Sequence, residues 1–95
     1  MVQNHRKYVE MFTCFFLRAA LSLLAYCHYY MQDYVSAANC YEQLTLLYPD
    51  EEEYKVYYAQ SLYSATLYEE AMKVTVTVEA PEYQGSMQKL QAAIK

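Results

Sequence analysis

The chain contains few residues that interrupt helices, with one glycine and two prolines among 95 residues. This scarcity argues against a turn-rich β fold and against a disordered chain, and it favours long helices. Basic residues are also few: seven Lys and Arg stand against eleven Asp and Glu, so the net charge is −4. Because no basic stripe is present, we expect no nucleic-acid partner.

The sequence also lacks the clusters that carry chemistry. Cys14, Cys27 and Cys40 are odd in number and contain no C-x-x-C pair, and the only histidines are His5 and His28. This pattern favours a reducing, cytosolic compartment over a disulfide framework, and it predicts no metal site. No phosphate-binding glycine loop and no Ser/His/Asp set is visible. We therefore expect no catalytic residue, no metal, no cofactor and no enzyme activity.

A 34-residue period is the strongest positive signal in the chain. This period is typical of the tetratricopeptide helix-turn-helix repeat, and such repeats bind other proteins. It predicts an all-α fold of tetratricopeptide-repeat hairpins, a fragment of an α-solenoid with about two and a third repeats. The recurring positions are Ala25, Ala59 and Ala93, with Tyr34 and Ala37 repeated in step as Tyr68 and Ala71.

The first repeat explains why alanine recurs. Two helices cross closely only where small residues meet, so Ala25 and Ala37 must be small, while Leu21, Leu24 and Tyr41 fill the space around them. The predicted organisation is a helical, aromatic leader at 1–17, repeat units at 18–51 and 52–85, and the first helix of a third unit at 86–95. The predicted helices are about 5–31, as one helix or two abutting ones, then 34–48, 51–64 and 68–76.

The ends of the later helices are predicted from local signals. Pro49 ends one helix, Asp50 can cap the next, and Glu53 would complete a capping box. Pro81 and Gly85 are expected to bracket a loop before the final helix.

The leader presents one apolar helical face, formed by Tyr8, Met11, Phe12, Phe15, Phe16 and Ala19. Arg18 splits the apolar run, which is then too short for a membrane span or a signal peptide, so we expect no membrane insertion. Two roles for the leader stay open: it caps the first repeat, or it drives self-association through Phe12, Phe15 and Phe16.

Several stretches resemble one family specifically. They are Leu21-Ser-Leu-Leu-Ala-Tyr-Cys, Cys40-Tyr-Glu-Gln-Leu, Tyr58-Ala-Gln-Ser-Leu-Tyr, Tyr68-Glu-Glu-Ala-Met and Leu90-Gln-Ala-Ala-Ile-Lys95. They resemble the amino-terminal repeats of the tetratricopeptide repeat protein 30 family, a subunit of intraflagellar transport complex B, over about residues 18–95. Residues 1–17 do not resemble that family's start.

The resemblance implies a non-catalytic scaffold for protein–protein interaction in cilium assembly and tubulin polyglutamylation. It implies other complex B subunits and the kinesin-2 motor as partners, and a location in the cilium and cytoplasm. Two alternatives remain: a truncated or retrocopy product with little function of its own, and a generic peptide-binding repeat module.

By resemblance to the general repeat, the first helix of each unit lines a concave groove. The positions expected to face it are Ser22, Tyr26, Tyr29, Tyr30, Val56, Gln60 and Tyr63. Tyrosine offers a large contact area and a hydroxyl group at low entropic cost, so this surface suits an apolar or proline-containing segment. None of these positions supplies the cation that a carboxylate clamp needs.

Overall fold

The computed structural model describes residues 2–95, with side chains from Phe15 onward, and that range contains helices and no strand. The all-α prediction is confirmed. Expectations about the side chains of His5, Phe12 and Cys14 lie outside the described side chains. The helices are α1 (Val2–Tyr30), α2 (Tyr34–Leu47), α3 (Glu52–Ser64), α4 (Tyr68–Thr75) and α5 (Gln84–Ile94), with a 3-10 turn at Pro81–Tyr83.

The helices pack in chain order, as expected for successive helical hairpins. α1 packs against α2, α2 against α3 and α3 against α4, and α5 lies against both α4 and α3. The molecule is elongated, with extents of 57 × 30 × 18 Å. The unit boundaries at 51/52 and 85/86 stay predictions.

The turns that close the two hairpins have the same geometry, 34 residues apart. Gln32 and Thr66 both adopt a left-handed backbone with φ of 67°. Each donates its N–H to the carbonyl three residues back, and the next residue donates to the carbonyl five residues back. This pair of backbone hydrogen bonds is the Schellman motif that ends helices. The repeat is therefore present in the backbone even where the side chains differ.

Small residues lie at the helix crossings, as the period predicted. Ala25, Ala37, Ala59 and Ala71 are completely buried. These four alanines belong to three groups of buried side chains, which together make up the core. The groups are Ala25, Ala37, Cys40, Tyr41 and Leu44; Ala38, Leu62 and Ala71; and Val56, Ala59, Val78 and Met87. Leu24, expected in the packing, is instead about half exposed.

Two local predictions were wrong. Glu51, not Asp50, precedes α3 as its cap residue, and no side chain bonds to that helix start. Glu53 instead accepts a hydrogen bond from the Tyr57 hydroxyl. Gly85 lies inside α5 rather than in a loop, because Pro81 opens a 3-10 turn that runs directly into that helix.

The first helix is much longer than its partner. At about 1.5 Å per residue, the 29 residues of α1 span roughly 43 Å and the 14 residues of α2 span roughly 21 Å. Because a short turn joins the two, the amino-terminal half of α1 extends past the hairpin, and residues 2–17 of the predicted leader belong to it. Between residues 2 and 95, no helix combines the length and apolar character that crossing a membrane requires.

Candidate partner-binding groove

Three helices form a pocket whose walls are almost entirely tyrosine. Its volume is about 190 Å³, enough for one large side chain of a partner. Tyr26 and Tyr29 come from α1, Tyr41 from α2, and Tyr57 and Gln60 from α3. Because aromatic faces present apolar surface and Gln60 presents an amide, the pocket can hold an apolar group and hydrogen-bond the adjacent backbone.

Neighbouring polar groups hold the pocket walls in place. The Tyr57 hydroxyl donates to the Glu53 carboxylate at 2.9 Å. This bond, together with partial burial, raises the pKa of Tyr57 above its ordinary value. At one end of the groove, the hydroxyls of Tyr29 and Ser64 share a hydrogen bond of 3.3 Å that links α1 to α3. The walls are therefore preorganised for binding, which lowers its entropic cost.

Tyr41 forms the floor of the pocket. It is buried between the helices, and its ring centroid lies 5.5 Å from that of Tyr57. Burial is the main cause that raises the pKa of Tyr41. The floor is thus a neutral aromatic ring at physiological pH.

The predicted groove positions divide into three groups. Tyr26, Tyr29 and Gln60 meet in the pocket. Ser22 and Tyr63 are half-buried and do not line the pocket. Tyr30 is strongly exposed one helical turn after Tyr26, and the centroids of these two stacked rings lie 6.1 Å apart. Their role in binding stays a prediction.

Val56 was wrongly expected to face the groove. It is 5% exposed and packs with Ala59, Val78 and Met87. The cause is α5, whose Met87 covers the side of α3 that carries Val56. Sequence reasoning also missed Tyr57, which follows Val56 by one residue and occupies the groove-facing position instead.

Arg18 connects α1 to the loop between α2 and α3 and to the start of α3. Its guanidinium lies over the rings of Tyr48 and Tyr54, at 4.9 and 5.5 Å from their centroids. Its Nε donates to the Tyr54 hydroxyl at 2.8 Å, and its Nη2 lies 3.6 Å from Glu51. The hydrogen bond to Tyr54 is the main cause that raises the pKa of Arg18. Arg18 is therefore held by contacts within the fold and does not line the pocket.

The described cysteines, histidine and carboxylates near this surface can be placed individually. Within residues 15–95, no three His, Cys, Asp or Glu side chains come together as a metal site. Of the two described cysteines, Cys40 is buried and Cys27 is exposed, and neither forms a disulfide. His28 lies 3.7 Å from Asp33 at the first turn and is only partly exposed.

Curated proteins include close relatives of this chain. Intraflagellar transport protein 70A of Danio rerio is 60% identical over 78 residues, and the protein of that name from Xenopus tropicalis is 59% identical over 78 residues. A tetratricopeptide repeat protein 30 homolog of Aedes aegypti is 53% identical over 77 residues. The aligned segment covers 81–82% of this chain but 12% of each relative. No protein-family model matches the chain.

These identities cover about four fifths of the chain, and they confirm the family resemblance drawn from the sequence. The homologous segment of this chain belongs to the intraflagellar transport protein 70 family, the tetratricopeptide repeat protein 30 group.

Proposed function

We propose that this chain is a non-catalytic interaction scaffold of intraflagellar transport, and that its tyrosine groove holds a segment of another complex B subunit. The carrying observation is the pocket between α1, α2 and α3, lined by Tyr26, Tyr29, Tyr41, Tyr57 and Gln60. The names of its relatives support the transport setting. The chain spans about one eighth of those relatives, so it supplies one portion of such a scaffold.

The ligand class follows from the pocket lining. Flat tyrosine faces favour a prolyl ring or a branched apolar side chain, and Gln60 can bond to the peptide group beside it. Four converging tyrosines also match the composition of binding hot spots, where a few aromatic residues carry most of the affinity. An apolar or proline-containing segment is thus the ligand we propose.

The wider role that we propose is support of cilium assembly and of axonemal tubulin polyglutamylation, with the protein present in the cilium and the cytoplasm. Complex B subunits are its primary partners, and the kinesin-2 motor is a further one. The long, preorganised surface of a helical solenoid supports this role, because it can bind an extended segment over several repeats.

Co-purification with complex B subunits tests the proposal. The variant Tyr57→Ala removes one pocket wall, and we expect it to weaken binding at least about tenfold, as loss of an aromatic hot spot does. The matched control is Tyr68→Ala, because Tyr68 has similar exposure, 44% against 39%, and lies outside the pocket lining.

The possible outcomes separate the role from the site. If the unmodified chain binds no complex B subunit, the proposed role is wrong. If it binds and Tyr57→Ala binds equally well, the role stands and the groove is not the site. Circular dichroism of both variants shows whether the helices are retained.

A further inference from the structure

An exposed apolar seam runs along α1. Leu21 and Ala25 pack toward α2, whereas Phe16, Ala19, Leu23 and Tyr30 are exposed on another face of the same helix. Tyr26, which also lines the tyrosine pocket, is exposed at the edge of that face. Among the large members, exposure ranges from 60% at Tyr26 to 78% at Tyr30. We call these five residues the α1 seam.

The spacing of the seam is that of a two-stranded coiled coil. Its members follow one another by three, four, three and four residues, the alternation of a and d positions in a heptad. In the sequence the same alternation continues toward the amino terminus through Phe12 and Val9, in the part of α1 that extends past α2. A helix with this pattern buries its seam against a second long helix.

We propose that the α1 seam pairs with the α1 seam of a second copy of this chain. The positions that flank a coiled-coil seam set partner choice through their charges. Here they are neutral: Phe15, Ser22 and Tyr29 on one side, and Ala20 and Cys27 on the other. Nothing beside the seam therefore repels an identical helix.

The area available matches what a dimer needs. Phe15, Phe16, Leu23, Tyr26 and Tyr30 each leave on the order of 100 Å² uncovered, given the size of such side chains and their exposure. Two copies would then bury roughly 1,000 Å² through these residues alone, which is the lower limit for a specific interface.

Sedimentation equilibrium of the full 95-residue chain tests the pairing, with a reducing agent present so that a Cys27 disulfide cannot imitate it. We expect a species of twice the 11.2 kDa mass that dissociates in the micromolar range. Leu23→Glu and Phe16→Glu each place a charge in the seam, and we expect both to shift the chain to monomer.

The matched control is Leu46→Glu, because Leu46 is 74% exposed on α2 and lies outside the seam. It should dimerise as the unmodified chain does. A monomer at roughly 100 µM overturns the proposal. A dimer that survives Leu23→Glu, or one that Leu46→Glu disrupts equally, overturns it as well. Tyr26 belongs to both the seam and the tyrosine pocket, so pairing would cover one wall of that pocket. Leu23 and Phe16 lie outside the pocket lining, so their substitution tests the pairing separately from partner binding in the groove.

Discussion

One substitution, alanine to leucine, can be made at three positions that the repeat period relates. Ala25 and Ala59 are completely buried at helix crossings, whereas Ala93 is exposed on α5. Alanine and leucine have nearly equal helix propensity, so the three variants differ only in what surrounds the added atoms. The series therefore isolates close packing at the crossings.

The expected magnitudes follow from burial. At Ala25 three added carbons must displace neighbours such as Tyr41 and Leu44, which form the same buried group. Overpacking of this kind costs about 1–3 kcal/mol, and we expect the same at Ala59. Ala93→Leu should change the free energy of unfolding by less than about 0.5 kcal/mol.

Guanidinium unfolding followed by circular dichroism measures all three variants. In a chain of this size each kcal/mol lost lowers the melting temperature by about 4–8 °C, so a thermal scan provides a second measure. If Ala25→Leu and Ala59→Leu were as stable as Ala93→Leu, the helices would not cross closely at these alanines, and the packing account would be refuted.

Three further changes have defined outcomes. Leu44→Ala should lower the free energy of unfolding by about 3 kcal/mol, because Leu44 is completely buried. Leu46 lies two residues along the same helix and is exposed, so Leu46→Ala should cost less than about 0.5 kcal/mol. Equal losses in the two variants would contradict the assigned core. Thr66→Gly should raise the melting temperature and add about 1 kcal/mol, because a β-branched residue is strained at positive φ; a loss of stability would show that the turn geometry is different. Burial and the hydrogen bond to Glu42 raise the pKa of Tyr58 above its ordinary value of 10, so this tyrosine ionises in the unfolded chain at lower pH than in the folded chain. Its contribution to the free energy of unfolding is therefore fully present below pH 10 and is lost as the pH rises further. In urea titrations between about pH 9 and 11, the free energy of unfolding should fall less steeply with pH for Tyr58→Phe than for the unmodified chain, and an equal slope would contradict this.

The architecture could be predicted from the sequence because it depends on spacing. The alanines at the crossings, the helix near 34–48 and the helix near 51–64 all follow from a period and from apolar patterning, and the structure places them within one or two residues. Family membership was equally accessible, since the residues between the repeat markers are distinctive.

Two of the errors have a different cause: they involve contacts between distant parts of the chain. Val56 is buried because Met87 arrives from α5, a contact that no local pattern encodes. Asp50 does not cap α3, and the adjacent Glu51 lies near Arg18, which is 33 residues earlier.

The turn residues are a third case. Glycine usually marks a left-handed helix end, but here Gln32 and Thr66 take that conformation. Without glycine, the sequence carries little signal of the turn type. Only the structure therefore shows that the two turns share the same backbone geometry.

The pocket itself was half predictable. Tyr26, Tyr29 and Gln60 were found by position in the repeat, whereas Tyr41 was assigned to packing alone and Tyr57 was missed. Tyr41 does both, because a buried ring can present one face to a cavity. Tyr57 faces the groove where Val56 was expected, so the residues of α3 that line the groove depend on how this helix is rotated about its axis. That rotation is determined by packing against the other helices.

Site-specific photo-crosslinking from Gln60 tests the central claim most directly. A photoreactive residue at this position, introduced in ciliated cells, reports what lies within reach of the tyrosine pocket, and the same residue at exposed Leu46 is the control. The account predicts a crosslink to a complex B subunit from Gln60 and none from Leu46. Equal crosslinking from both positions, or none from Gln60 while the chain co-purifies with the complex, would contradict it.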